Sequence, residues 1–219
     1  MKSTNLFSEF DATLARPLFE EFEYPWEVLP KLKEFILSIG PLLGADEYDS
    51  PSEGVWVHRS AQIFPNNYIL GPCIIGPNTE LRPNAFVRSS VLVGSNCVVG
   101  NATELKNCIL FDCAKAPHYN YVGDTIMGYC VHMGAGVICS NIKSDKTSVI
   151  IHDGLMNIPT GLVKLGAILG DHVEIGCNSV LCPGSILFPH ASVYPLSRVR
   201  GVVKARHIYK SQGEIVERI

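Results

Sequence analysis

Aliphatic residues recur at every sixth position along much of the chain. Ile63, Ile69, Ile75, Leu81, Val87, Val93, Val99 and Leu105 share one frame. Two positions before each lies a small or compact residue: Ala61, Asn67, Cys73, Thr79, Ala85, Val91, Cys97 and Thr103. Neither the 3.6-residue period of a helix nor the two-residue alternation of a strand produces this spacing. A six-residue period is that of a solenoid in which three hexads make one triangular coil and each coil is stabilised by its neighbours. The predicted fold is an all-β solenoid, a parallel β-helix of hexapeptide repeats spanning 53–203.

Residues 1–52 lie outside the frame and read as a helical cap or flank. The segment VLPKLKEFILSI within Glu27 to Ile39 predicts a helix with an apolar stripe of Leu32, Phe35, Ile36 and Ile39, ended by Gly40-Pro41. Upstream, LFSEFDATLARPLFEEF predicts a short helix interrupted near Pro17. The six-residue frame fails twice. From Leu105 to Met127 is 22 residues, four more than one 18-residue coil, which predicts an irregular stretch near 106–126, either an inserted bulge or an altered coil. The frame resumes at Met127, Met133 and Cys139, and again at Val163, Leu169, Ile175, Leu181, Leu187, Val193 and Val199. Between these blocks, 141–162 is poor repeat sequence, expected as a second irregular insertion, either an ordered loop or a modified coil. Residues 204–219 read as a C-terminal tail. A chain that abandons stacking does so where something else is gained. Both breaks are polar: FDCAKAPHYNYVGD, then GAGVICSNIKSDK.

Charged residues make up only 18% of the chain, low for an ordinary globular surface and compatible with a solenoid whose sides are covered. The net charge of -3 and the lack of a long basic tract argue against a nucleic-acid partner. No apolar run approaches the roughly eighteen residues of a membrane span. The start lacks the plan of a signal peptide, so a cytoplasmic location is expected. The eight cysteines do not form a disulfide pattern. Cys73 and Cys97 occupy the compact repeat position and Cys139 an aliphatic one, so they read as reduced core residues. His132, His152 and His172 recur every 20 residues against a coil of 18, so they share no face and no metal is expected. No G-x-S-x-G nucleophile elbow and no Gly-rich nucleotide loop before the solenoid occur.

The first break holds the candidate chemistry. His118 carries an imidazole able to accept a proton near neutral pH. Tyr121 and Asn141 offer polar groups that orient a ligand without adding charge. Arg88 and Lys106 are 18 residues apart, one coil, so both cations should stack on one corner and suit an anion.

PHYNYVGD (117–124) and MGAGVICSN (133–141), at this spacing, resemble the left-handed parallel β-helix acyltransferases. They are most similar to the acetyltransferase domain of the bifunctional N-acetylglucosamine-1-phosphate uridylyltransferase/glucosamine-1-phosphate acetyltransferases. The resemblance implies His118 as general base, Tyr121 at the sugar phosphate and Asn141 at the amino sugar. It implies Arg88, and Lys106 in the ELKN stretch 104–107, at an anion. After Asn141 the family carries Tyr where this chain has Ile142, and the following basic residue is represented by the displaced Lys146. His132 stands where the family usually has Asn.

The implied donor is acetyl-CoA or another acyl-CoA, held in a groove between the subunits of a homotrimer. Gly166, Ala167, Ala191 and Ser192 would admit the pantetheine arm. Arg198 and Arg200, with Lys204, Arg206 and Lys210, would meet the CoA phosphates. Backbone N–H groups of Gly134 to Gly136 would hold an oxyanion. The expected reaction is N-acetylation of an amino-sugar phosphate or a nucleotide-linked amino sugar. Two alternatives stand beside it: acylation of a different amine, and a non-catalytic solenoid that binds sugar phosphates or nucleotide sugars without CoA turnover.

Overall fold

The computed structural model describes residues 1–210 and 214–217. Short parallel strands stack coil upon coil on three faces of a prism. One face carries Val55–His58, Cys73–Ile75 and Val91–Val93, continuing to Ala167–Leu169, Ser185–Leu187 and Val202–Val203. A second carries Gln62–Ile63, Glu80–Leu81, Val98–Asn101, Lys115–His118, His132–Met133, Glu174–Ile175 and Ser192–Val193. The third carries Tyr68–Leu70, Phe86–Arg88, Ile138–Cys139, Val180–Leu181 and Arg198–Val199. The aliphatic frame from Ile75 to Leu105 fills the interior as one continuous core with the compact residues beside it. Corners are made by single residues in the left-handed region, mostly Asn in the early coils: Asn66, Asn78, Asn84 and Asn96. Asn tolerates that conformation better than other residues with a Cβ.

The register explains the first break as an altered coil rather than an inserted bulge. Val91 pairs with Cys108 and Cys108 with Thr125, steps of 17 rather than 18. Along the core, Leu105 is followed by Leu110, Ala116, Val122 and Met127. Two of these four intervals lose one residue, so the 22-residue interval is two-thirds of two shortened turns, not a coil plus a bulge. The lost residue comes from a corner. The strands Glu104–Leu110 and Tyr121–Met127 run over it unbroken, bent at Asn107 (φ 46°) and Asp124 (φ 48°).

The second break is a true insertion. Cys139 pairs with Leu181, a step of 42 residues. The extra chain forms an antiparallel hairpin, Ile150–Asp153 against Met156–Pro159. Val163, expected to restart the frame, is 44% exposed and outside the stack. Stacking resumes with Ala167–Leu169.

The N-terminal segment is a lateral flank. Strands of the first face read as three consecutive apolar residues, such as VLV at 91–93, because both sides are buried. Their outward residues Ile74, Leu92, Ile109, Ile126, Ile168 and Ile186 are fully covered by Leu6, Phe7, Leu18, Phe19, Trp26, Leu29, Leu32 and Ile36, together with Val149, Ile151 and Leu165. Each such side chain contributes about 2 kcal/mol on burial. Pro17 does not interrupt a helix. It opens one, Arg16–Glu20, where a proline in the first turn forfeits no hydrogen bond. The expected helix within Glu27 to Ile39 is split between a 3-10 turn at Pro25–Lys31 and a helix at Leu32–Ile39, and the stripe Leu32, Phe35, Ile36 and Ile39 lies wholly on the helix.

The stack continues beyond 203. His207–Tyr209 pairs parallel with Ser192–Val193, and Ile215–Glu217 returns antiparallel. Of the predicted tail, 211–213 and 218–219 lie outside the described residues.

Candidate functional site

The third face and its two edges hold the predicted site. Its register sets Glu104 beside Phe86 and Leu105 beside Val87, which places Lys106 next to Arg88. On the other side Lys106 pairs with Gly123. The predicted stacking of the two cations is therefore present.

Each cation already has a carboxylate. The Lys106 ammonium, 23% exposed, lies 3.0 Å from Oδ2 of Asp124, whose side chain is 5% exposed. Arg88 Nη1 lies 2.7 Å from Glu104 Oε1, a pair that raises the guanidinium pKa further, through the hydrogen bond first. Asp124 also accepts from Asn107 Nδ2 at 2.8 Å and from Asn141 Nδ2. The Asn141 amide in turn donates to the Tyr121 hydroxyl at 3.2 Å. Lys106, Asn107, Asn141 and Tyr121 thus form one network centred on Asp124. Burial, then the charges of Glu104 and Asp124, push the Tyr121 phenol up, so it stays protonated.

Gly123 makes this possible. A Cβ there would lie 2.5 Å from the Tyr121 hydroxyl and displace the ring. The motifs point to Tyr121 in PHYNYVGD and Asn141 in MGAGVICSN, but not to Asp124, the only carboxylate in PHYNYVGD. A lone acid inside a polar motif, one corner from a lysine, was the available signal.

His118 ends the strand Lys115–His118 at the opposite edge of the same face. Its N–H donates to Asn120 Oδ1 at 3.0 Å, and its carbonyl accepts from Gly136 N at 3.0 Å. Buried Asn120 is itself anchored, donating to Gly134 O at 2.8 Å. The backbone is fixed, and the exposed imidazole meets no hydrogen-bonding side chain among the described residues. Five residue steps lead from His118 to Gly123, a reach of at most about 17 Å. A ligand touching both His118 and the Lys106 network must therefore lie along the face.

Other predicted residues fall elsewhere. Lys146 is exposed in a turn, its N–H bonded to Lys143 O, and makes no contact with the Asp124 network. His132 sits on the second face, 2.9 Å from Glu174. The N–H groups of Gly134 and Gly136 already donate to Ile175 O and His118 O, so neither is free for an oxyanion. Ala167 and Ala191 are fully buried inside the prism, where they pack against the neighbouring coils. Gly166 admits a neighbouring coil rather than a ligand, because a Cβ there would lie 2.2 Å from Gly123 O. Ser192 lies on the second face, Arg198 on the third and Arg200 on the corner beyond it. The six do not converge in one chain. Lys204 pairs with Asp153 at 2.8 Å, and Lys210 with Glu214 at 3.5 Å.

Among the described residues no cluster of three His, Cys, Asp or Glu side chains is placed to hold a metal ion. No described helix is long and apolar enough to cross a membrane.

Comparison with known proteins gives a match of residues 69–198 to the family described as GMPPB C-terminal domain. A bifunctional sugar-1-phosphate nucleotidylyltransferase/acetyltransferase of Sulfurisphaera tokodaii is 31% identical over 174 residues, 78% of this chain and 43% of that protein. A bifunctional protein GlmU of Methanococcus maripaludis is 34% identical over 169 residues, 76% of this chain and 41% of that protein. The chain thus spans less than half the length of these relatives. Among solved structures, a mutant of AntD, an N-acyltransferase from Bacillus cereus, covers 80% of this chain and 91% of its own at 17% identity and a TM-score of 0.43.

Proposed function

The chain belongs to the GMPPB C-terminal domain family and has the left-handed β-helix fold of the hexapeptide-repeat acyltransferases, and from this we propose that it is a CoA-dependent acyltransferase acting on an amino sugar. The acceptor in this reading is an amino-sugar phosphate or a nucleotide-linked amino sugar. The observation that carries it is the arrangement of the third face: a free imidazole at one edge and a polar network with two cations at the other. An acceptor lying along the face would set its amine at His118 and its polar or anionic end at Tyr121, Asn141, Lys106 and Arg88.

In the proposed reaction the amine attacks the thioester carbonyl, His118 takes the amine proton, and the CoA thiolate leaves. Asn120 would act by fixing the His118 backbone. A phosphate at the other edge would compete with Glu104 for Arg88, and Lys106 would keep its buried partner. Arg88 is therefore the cation better able to swing toward an anion.

We assign a homotrimer to the same reading. The N-terminal helices cover the first face, which leaves the other two for a neighbour. The third face presents Tyr68, Leu70 and Val180 as exposed apolar residues, with Tyr68 packed on Phe86 at 5.7 Å. A threefold partner there would close the face over the acceptor and supply the donor groove that one chain does not assemble.

The test is a panel of free, 1-phosphorylated and nucleotide-linked amino sugars incubated with acetyl-CoA, reading CoA release and product mass. A product heavier by one acetyl group on a phosphorylated or nucleotide-linked acceptor supports the reading. Tight binding of these ligands without CoA release would instead favour a non-catalytic solenoid. Turnover only with an unrelated amine would reassign the acceptor.

A further inference from the structure

A second concavity lies on the corner between the third face and the covered face, toward the C-terminal coils. Its volume is about 340 Å³, within the range of small-molecule sites. Its roof is the inserted strand Ile150–Asp153. Val149 and Ile151 are buried in the lateral core, while Ile150 and His152 line the cavity. Its floor is two stacked turns, at 182–184 and 200–201. Two glycines seat the roof on that floor. A Cβ on Gly184 (φ 78°) would lie 2.6 Å from Val149 Cγ1, and one on Gly201 (φ 82°) would lie 3.1 Å from His152 O. The Lys204–Asp153 pair at 2.8 Å ties down the end of the roof strand. The cavity is thus a product of packing rather than a gap beside a loop.

Its lining carries an excess of positive charge. The Arg200 guanidinium has no hydrogen-bond or ion-pair partner among the described residues. Lys143 donates to Ser148 O at 3.1 Å and lies 3.7 Å from Asp145. Asp145, the one carboxylate of the lining, is already occupied by the N–H and hydroxyl of Thr147 at 3.0 and 2.9 Å. His152 adds an imidazole. Ile142, Ile150 and Pro183 supply apolar walls. A guanidinium fork with an ammonium nearby matches the oxygens of a phosphoryl group, and the walls match an apolar or flat moiety attached to it.

We propose that this cavity binds a phosphoryl group carried on an aromatic moiety, as in a mononucleotide. Arg200 and Lys143 hold the phosphate, and Ile142, Ile150 and Pro183 pack against the base or sugar. The site goes beyond the acceptor reading and stands without it, since none of these residues belongs to the His118 face.

Calorimetric titration of the full chain with AMP, adenosine, inorganic phosphate and CoA tests it. AMP is expected to bind at least about tenfold more tightly than adenosine or inorganic phosphate. Arg200→Gln is expected to weaken AMP about tenfold, a loss of about 1.4 kcal/mol, and Lys143→Gln to weaken it by a smaller factor. Arg200 is exposed and Lys143 half-buried, and circular dichroism checks that the variants keep the fold. Displacement of AMP by CoA would support the site and identify the nucleotide end of a donor as its source. CoA leaving AMP in place would support it as a separate nucleotide site. AMP and adenosine binding equally, AMP affinity unchanged in Arg200→Gln, or no AMP binding at millimolar concentration would each overturn the proposal.

Discussion

Replacing Asp124 should damage the protein out of proportion to a surface carboxylate. Its nearly inaccessible side chain holds the Lys106 ammonium at 3.0 Å, together with the amides of Asn107 and Asn141. Asp124→Ala leaves a mostly buried ammonium without a counter-charge and two amide donors without their acceptor. Removing one partner of a buried ion pair costs about 3–5 kcal/mol. Lys106 retains 23% exposure, so water recovers part of that loss, and the expected cost is about 3 kcal/mol. Asp124→Asn keeps one acceptor and the shape while losing the charge, for an expected cost of about 2 kcal/mol. Urea unfolding followed by circular dichroism reads both as shifts in midpoint at constant slope. Pairing Asp124→Asn with Lys106→Met removes both charges, and the double variant should recover at least about 1 kcal/mol of the summed single losses. Costs that add to within about 0.5 kcal/mol, or an Asp124→Ala variant as stable as the parent, would refute the claim that Asp124 organises this corner.

Three further outcomes follow from the packing. Burial pushes Cys73 and Cys139 up to about 12, and Cys97 and Cys108 higher still. Above pH 9 the unfolded chain loses thiol protons that the folded chain keeps. Stability should therefore fall between pH 9 and 11 by up to about 1.4 kcal/mol per pH unit per thiol, read from urea midpoints. Leu92→Ala opens a cavity beneath the N-terminal helices and should cost about 2–5 kcal/mol, measured the same way; a loss below about 1 kcal/mol would mean the flank is loosely docked. Gly123→Ala should move Tyr121 off its Asn141 partner and weaken acceptor binding by about tenfold, with a smaller effect on unfolding; unchanged affinity would separate Tyr121 from the acceptor.

The hexad pattern made the prism legible because every interior residue must be aliphatic or compact at a fixed step. The stacking of Arg88 on Lys106 followed from the same arithmetic. What the arithmetic missed lies at corners. Shortening the intervals Leu105–Leu110 and Val122–Met127 by one residue each keeps the core intact while shifting the frame, so one and a third shortened turns resemble an insertion. The side taken by the N-terminal helices was written in the outward aliphatics Ile74 and Leu92. A repeat template counts only the inward positions. Ala167 and Ala191 look permissive in sequence because small residues suit both a ligand channel and a tight core, and only stacking separates the two. Asp124 lies 18 residues after Lys106, the same step that stacks Arg88 on Lys106, but its amide partners Asn107 and Asn141 are each 17 residues away, a relation visible only once the shortened steps are known.

The central claim is that the third face transfers an acyl group with His118 as base. Its most direct test compares CoA release by the parent chain and His118→Ala, with acetyl-CoA and the acceptor that turns over, after unfolding midpoints show equal stability. His118→Ala should lower turnover at least about a hundredfold with acceptor affinity little changed. Turnover that survives the substitution would contradict the claim.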